Sequence, residues 1–301
     1  MTMRPDSRPD SRVLFGLRIT ACSMDDVVAL GAEAVRSRRR MLVGVVNAAK
    51  IVKLRRDELL RSSLLDCDVI LADGQSVVWA SRLLGRRLPE RITGIDLFER
   101  LLELADRDHL RIYLLGARPE VLESVRRRIR ERFPAVVIAG AADGYFDMAD
   151  AAAVAADVRG SHADMLFLGM TTPKKEIFLA RYGDELDVPV LHGVGGSFDV
   201  LAGVTKRAPL AWQRLGMEWL YRLLQEPRRL FRRYAVTNSV FLALTLKEFF
   251  MPTPAYPDSP DRAVSKQIKQ SKQSKQTKQT KPPEQVIQVA ARAGLEEREP
   301  A

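Results

Sequence analysis

From Met41 onward, short apolar runs alternate with longer stretches of mixed polarity. The runs occupy residues 41–46, 69–72, 112–115, 136–139, 165–168 and 188–191. They are rich in Val, Ile and Leu and do not alternate with polar residues, the pattern of strands covered on both faces. The segments between them, 48–60, 75–84, 96–105, 119–132, 149–158 and 173–182, read as helices. Pro119 and Pro173 fall where a first helical turn tolerates a missing N–H. Strands alternating with helices predict right-handed βαβ units, hence an α/β fold with a mainly parallel sheet. In such a sheet, ligands bind beyond the carboxyl ends of the strands.

That rule selects the residues just after each run: Asn47, Asp73-Gly74, Gly116-Ala-Arg118, residues 140–144, Gly169 to Glu176, and Gly193-Val-Gly-Gly196. Asp73 stands at a strand's end before a helix, where a carboxylate can take a proton from a substrate hydroxyl or serve as a helix cap. Asn47 fits a cap equally. The glycine turns at Gly116 and at Gly193 to Gly196 offer free N–H groups to a phosphate. Neither is a full dinucleotide fingerprint, and no Walker-type Gly-Lys-Ser/Thr occurs. Asp66-Cys-Asp68 has the spelling of a metal-binding Asp-x-Asp, but it precedes its strand and so falls at the wrong end of the sheet. The histidines, at 109, 162 and 192, are scattered, and no metal site is expected.

Composition adds boundaries. With 301 residues, 46% of them hydrophobic, the chain can bury one substantial core. We expect a disordered leader at 1–12, an α/β core at 13–205, a basic helical appendage at 206–250 and a disordered Lys/Gln-rich tail at 251–301. Cys22 and Cys67 lack metal-ligand spacing and read as buried or incidental thiols. The polar start has no signal-peptide core, and no apolar run reaches the length of a membrane span. The expected location is therefore cytoplasmic, with any membrane contact peripheral.

The formal charge is +10, and residues 206–233 concentrate it, with eight Lys or Arg against two Glu. Arg222, Arg229 and Arg233 fall on one helical face, although Pro227 divides the stretch and is expected to open a second helix. Leu215, Trp219, Leu220, Leu223 and Leu224 form a stripe of helical period, expected to pack on the core. Guanidinium groups among Trp212, Trp219, Tyr221 and Phe231 suit a phosphate ligand or an anionic membrane surface.

Taken in order, the motifs resemble the WecB/TagA/CpsF glycosyltransferases (glycosyltransferase family 26). They are Asn47-Ala-Ala-Lys-Ile-Val, Leu71-Ala-Asp-Gly-Gln-Ser-Val-Val-Trp-Ala80, Pro89-Glu-Arg-Ile-Thr-Gly-Ile-Asp-Leu97, Leu115-Gly-Ala, Gly169 to Glu176, Gly193 to Gly203, Arg207-Ala-Pro209 and Glu218 to Leu230. The resemblance covers about residues 12 to 250. It implies a Rossmann-like enzyme, without cofactor or metal, that inverts the anomeric centre. A hexose or N-acetylhexosamine, N-acetylmannosamine among them, would pass from a UDP-sugar to a polyprenyl-diphosphate-linked sugar during cell-surface polysaccharide synthesis.

By the same resemblance Asp73 is the general base and Asn47 binds substrate. Arg222, Arg229, Arg232 and Arg233 belong to a catalytic appendage facing the inner surface of the cell membrane. Gly74, Gln75, Arg91, Gly116, Lys174, Lys175, Glu176, Gly193, Gly195 and Gly196 complete the expected substrate-binding set. Two positions depart from the family pattern: Val45 replaces a common threonine, and Lys175 replaces glutamine in Pro-Lys-Gln-Glu. No nucleic-acid partner is expected, and self-association stays open. Two rival readings compete, a non-enzymatic module for anionic lipid or nucleic acid and an NAD-dependent oxidoreductase.

Overall fold

The computed structural model describes residues 9–257 except Leu215, and leaves out the side chains of Arg214, Arg222, Arg229, Leu230 and Arg233. The chain opens with a hairpin of β1 (Ser11–Leu14) and β2 (Leu17–Thr20), then α1 (Met24–Arg36). The alternating part follows as β3 (Met41–Val46), α2 (Ala48–Lys53), α3 (Glu58–Leu65), β4 (Val69–Ala72), α4 (Gln75–Leu83), α5 (Gly94–Arg107), β5 (Arg111–Gly116), α6 (Pro119–Arg132), β6 (Val137–Ala142), α7 (Ala151–Gly160), β7 (Met165–Gly169), α8 (Lys174–Tyr182) and β8 (Val190–Gly193). Four helices close the described chain: α9 (Ser197–Leu201), α10 (Leu210–Arg214), α11 (Glu218–Gln225) and α12 (Pro227–Phe250).

Strands β3 to β8 form one six-stranded sheet in the order β4-β3-β8-β7-β5-β6, with every pairing parallel. The chain therefore leaves β3 in one direction and later returns to fill the centre with β7 and β8. Successive side chains of a strand enter opposite cores. Leu42 and Val46 face a layer with α2, α3, α4, α7 and α8. Met41 and Val43 face a layer with α1, α5, α6 and α9. Burial on both faces is what the unbroken apolar runs require, and the inner strands meet it, whereas β6 at the edge of the sheet is only half-buried; each fully buried Leu, Ile or Phe stabilises by about 1.5–3 kcal/mol.

Several boundaries differ from expectation. The helix expected over 48–60 is two, because Asp57 accepts from Leu60 N and starts α3 afresh. Pairing begins at Ser11, inside the expected leader. The expected border at 206 has no counterpart in packing, since residues through Pro257 form one compact unit. The far end of α12 belongs to the core. Phe241 is buried 5.3 Å from Phe15, and α12 packs on α2. Glu248, with its side chain 1% exposed, accepts from Phe15 N at 3.4 Å, Arg86 Nη1 at 3.1 Å and Thr253 N at 3.1 Å. Residues 252–257 then fold back: Tyr256 N donates to Gly16 O at 2.8 Å, and a Cβ at Gly16 would stand 2.5 Å from the Tyr256 ring. The disordered Lys/Gln-rich tail expected at 251–301 is therefore ordered over its first residues, through Pro257, and its remainder lies outside the described residues.

The stripe on α11 does not pack as a core face. Trp219 is 43% and Leu224 65% exposed. Trp219 meets Tyr234 of α12 edge-on, with centroids 6.1 Å apart. Leu215 lies outside the described residues.

Candidate functional site

Parallel strands place all their carboxyl ends on one rim, and the turns there come very close. Gly116 ends β5 at φ 131°, and a Cβ on it would strike Gly169 backbone at 2.5 Å. A Cβ on Gly74 would stand 3.1 Å from that of Asn47. Glycine at 74 therefore lets the turn after β4 lie against the turn after β3, joining Asn47 to Asp73.

Asn47 is the N-cap of α2, its side chain accepting from Lys50 N at 3.1 Å. Asp73 does not cap α4, whose N-cap is Gly74. Its Oδ1 instead accepts from Gly94 N at 3.3 Å. Gly94 opens α5 after Thr93, which caps the helix by accepting from Asp96 N. The positive end of α5 thus meets the Asp73 carboxylate.

A cationic group surrounds this point. Lys50 Nζ donates to Val45 O at 2.8 Å. Desolvation first, then the charge of Lys175, pull its pKa down to about 8 against the opposing pull of Asp73 and Glu176. Lys175 Nζ lies 3.3 Å from Glu176 Oε1, and its chain passes over Gly193, where a Cβ would stand 3.0 Å away. Glu176 is buried, accepts from Thr172 Oγ1 at 3.1 Å, and keeps Oε2 without a hydrogen-bond partner among the described residues. Sequence reasoning missed Lys50. Its signal was the helical offset of three from Asn47, which turns both toward the rim.

The segment after Lys206 lies over the other side of the rim. Arg91 Nη1 meets Glu218 Oε2 at 2.6 Å, and Arg91 Nη2 donates to Gln213 O at 3.4 Å. Arg207 pairs with Asp96 at 2.6 Å and with Glu218 at 3.5 Å. Gly216, at φ 70°, rests on Gln75, and a Cβ there would sit 2.4 Å from Gln75 Cγ. Gln75 and Arg91 are thereby brought under the appendage.

Other expected residues have structural employment. Lys174 Nζ donates to Gly144 O at 2.9 Å and to Phe146 O, and lies 3.8 Å from the Phe146 ring centre. Gly195, at φ 51°, turns the chain into α9, whose N-cap is Gly196. Of the four appendage arginines, Arg232 is exposed on α12. The side chains of Arg222, Arg229 and Arg233 lie outside the described residues.

At the opposite end of the sheet Asp66 pairs with Arg40 at 2.9 Å, and Asp68 accepts from Leu42 N at 2.9 Å. That pair is structural. Among the described residues no three His, Cys, Asp or Glu gather as a metal site. Both cysteines are free and buried.

A parallel α/β sheet whose strand ends assemble a carboxylate, half-buried lysines and arginines is equipped for group transfer, and by its family the protein is a glycosyltransferase. The chain belongs to the Glycosyl transferase WecG/TagA/CpsF family, whose profile matches residues 12–254. It is similar to an N-acetylglucosaminyldiphosphoundecaprenol N-acetyl-beta-D-mannosaminyltransferase of Bacillus spizizenii, at 39% identity over 181 residues, covering 60% of this chain and 70% of the relative. The enzyme of the same name from Bacillus subtilis is 38% identical over 205 residues, covering 68% and 78%. Membership sets aside the non-enzymatic and oxidoreductase readings.

Proposed function

We propose that the protein transfers a hexosyl or N-acetylhexosaminyl group from a UDP-sugar to a polyprenyl-diphosphate-linked sugar, for assembly of a cell-surface polysaccharide. The names of the two relatives favour an N-acetylmannosaminyl group and an N-acetylglucosaminyl-diphospholipid acceptor. The observation that carries the mechanism is the Asp73 carboxylate, held by Gly94 N at 3.3 Å where the strands end. Asp73 takes the proton of the acceptor hydroxyl. The freed oxygen attacks the anomeric carbon from the face opposite the diphosphate, so configuration inverts. The bond to UDP breaks, and the diphosphate leaves with its electron pair. Arg91 and Arg207, with Lys50 and Lys175, meet the charge that develops, and no step is routed through a metal.

Asp73→Asn tests the base. Turnover of UDP-N-acetylmannosamine with a short-chain polyprenyl-diphosphate N-acetylglucosamine should fall about 10²- to 10⁴-fold. A variant within a few-fold of wild type overturns the assignment. A panel with UDP-N-acetylglucosamine and UDP-glucose decides the sugar.

Arg222, Arg229, Arg232 and Arg233 are proposed as a lid over the diphosphates. Because Phe241 and Glu248 of α12, which bears three of the four, are buried, truncation would remove core, so single Arg→Ala changes test the lid. Peripheral membrane attachment rests on α12. Phe231, Leu242, Leu246 and Phe250 are each more than 60% exposed, beside the exposed Arg228 and Arg232. Among the described residues no helix is long and apolar enough to cross a membrane. Flotation with vesicles containing anionic lipid, and its loss in Phe231→Ser with Leu242→Ser, checks this attachment to the inner face.

A further inference from the structure

His192 is a polar residue in an apolar place. It lies on β8 in register with Val43 of β3 and Phe167 of β7, and it is fully buried. Its neighbours along the strand, Val190 and Val194, join the apolar layer beneath α5. Its ring stands edge-on to Phe167, with centroids 6.5 Å apart. Burial holds the ring neutral, its pKa pushed down to about 4. Nδ1 has no hydrogen-bond partner among the described residues. Such a group is costly to bury unless its remaining bond is needed.

That bond is Nε2 to Gly94 O, at 3.0 Å. A carbonyl only accepts, so Nε2 carries the proton and donates. Gly94 is the residue whose N–H holds Asp73 Oδ1 at 3.3 Å. A glycine has no side chain to anchor it. The nearest atoms to a Cβ placed there are those of Val45 at 3.8 Å and His192 Cε1 at 4.0 Å. The imidazole supplies the missing anchor between the centre of the sheet and the first residue of α5.

We propose that His192 is a positioning residue for catalysis, fixing Gly94 through its carbonyl so that the Gly94 N–H holds the Asp73 carboxylate in place. The inference rests on Asp73 being the general base. Misplacing a reacting group by about 1 Å can cost on the order of 10²-fold in rate. A carboxylate that loses part of a hydrogen bond also titrates higher. Lys50 and Lys175 act on His192, Lys50 also faces Asp73 and Glu176, and all of them remain in the variants below.

The test compares His192→Gln, whose amide N–H extends to about the reach of Nε2, with His192→Asn, which is one methylene short. Both are buried amides of like polarity, so a purely structural role predicts like losses. We expect Asn to lower kcat about ten-fold or more with KM for the UDP-sugar nearly unchanged, and to move the acid limb of kcat/KM upward. Gln should restore most of kcat and return the limb. Equal losses in both variants, or an Asn variant with wild-type kcat and limb, overturn the proposal. An Asn variant that unfolds while Gln stays folded and fully active also counts against it, because the bond would then serve the fold. Asp73→Asn, assayed alongside, separates the two claims: full activity there removes the base itself, whereas an inactive Asp73→Asn with an unaffected His192→Asn removes only the positioning role.

Discussion

Glu218 Oε2 lies 2.6 Å from Arg91 Nη1, across 127 residues of chain. The contact ties α11 to the loop before α5, and Arg207 reinforces it from the same carboxylate at 3.5 Å. The side chains of Arg91 and Glu218 are 15% and 21% exposed, so the pair is partly shielded from water. Glu218→Gln should weaken this closure by about 1 kcal/mol, raising the open population about five-fold. Tryptic cleavage after Arg207 or Arg214 should quicken by that factor while the melting temperature barely moves. An unchanged cleavage rate would show that the contact does not hold the segment.

Lys50 predicts an alkaline limb. Desolvation and the nearby Lys175 place its pKa at about 8, so its charge is present below that pH and lost above it. If that charge supports the carboxylate of Asp73 and the leaving diphosphate, kcat/KM should fall with a midpoint near 8. Lys50→Met should lower the plateau about 10- to 100-fold, equivalent to ~1.4–2.8 kcal/mol, and abolish the limb. Rate profiles from neutral to alkaline pH check both.

His192 predicts acid sensitivity of the fold. Its pKa is about 4 when folded and about 6.5 in an unfolded chain. Between these values the unfolded state binds the extra proton, so stability is intact above about 6.5 and declines as the pH falls toward about 4. The loss is on the order of 3 kcal/mol from this group. Urea unfolding across that window should show the decline in wild type and a flatter profile in His192→Leu.

Glu248 predicts a core defect far from the rim. Removing its carboxylate takes a partner from Arg86, which keeps Val13 O at 2.7 Å, and from Phe15 N and Thr253 N; the carboxylate accepts from these three at 3.1 Å, 3.4 Å and 3.1 Å. Glu248→Ala should destabilise by about 3 kcal/mol, lowering Tm by roughly 6–12 °C, with little change in KM at temperatures where the protein is folded. Calorimetry with a parallel assay measures both.

The core strands were legible because their signals are local. Short apolar runs without alternation marked all six, and the helix opened by Pro119 was read at the same limits the structure shows for α6, Pro119–Arg132. Strand ends also exposed Asp73, Asn47 and the glycine turns, since parallel topology sends every such end to one rim. The break between α2 and α3 was not legible. No Gly or Pro marks it, and only the Asp57 cap divides the helices. The hairpin went unread because Arg12 and Arg18 interrupt its two strands, so neither shows an unbroken apolar run.

What folding alone could decide is who meets whom. Local sequence offered Asp73 as cap or base, and the fold turned it to Gly94, 21 residues away. Longer separations in sequence concealed Lys50 beside Lys175, His192 beneath Gly94, and Glu218 upon Arg91. Helical and strand periods specify the face on which a side chain stands, because backbone geometry repeats over a few residues. Partners across the rim follow from how faces pack, and packing is shared among residues far apart in sequence. The chain's pattern therefore determined the sheet and the rim where chemistry gathers, and the packed structure set which charges surround the carboxylate there.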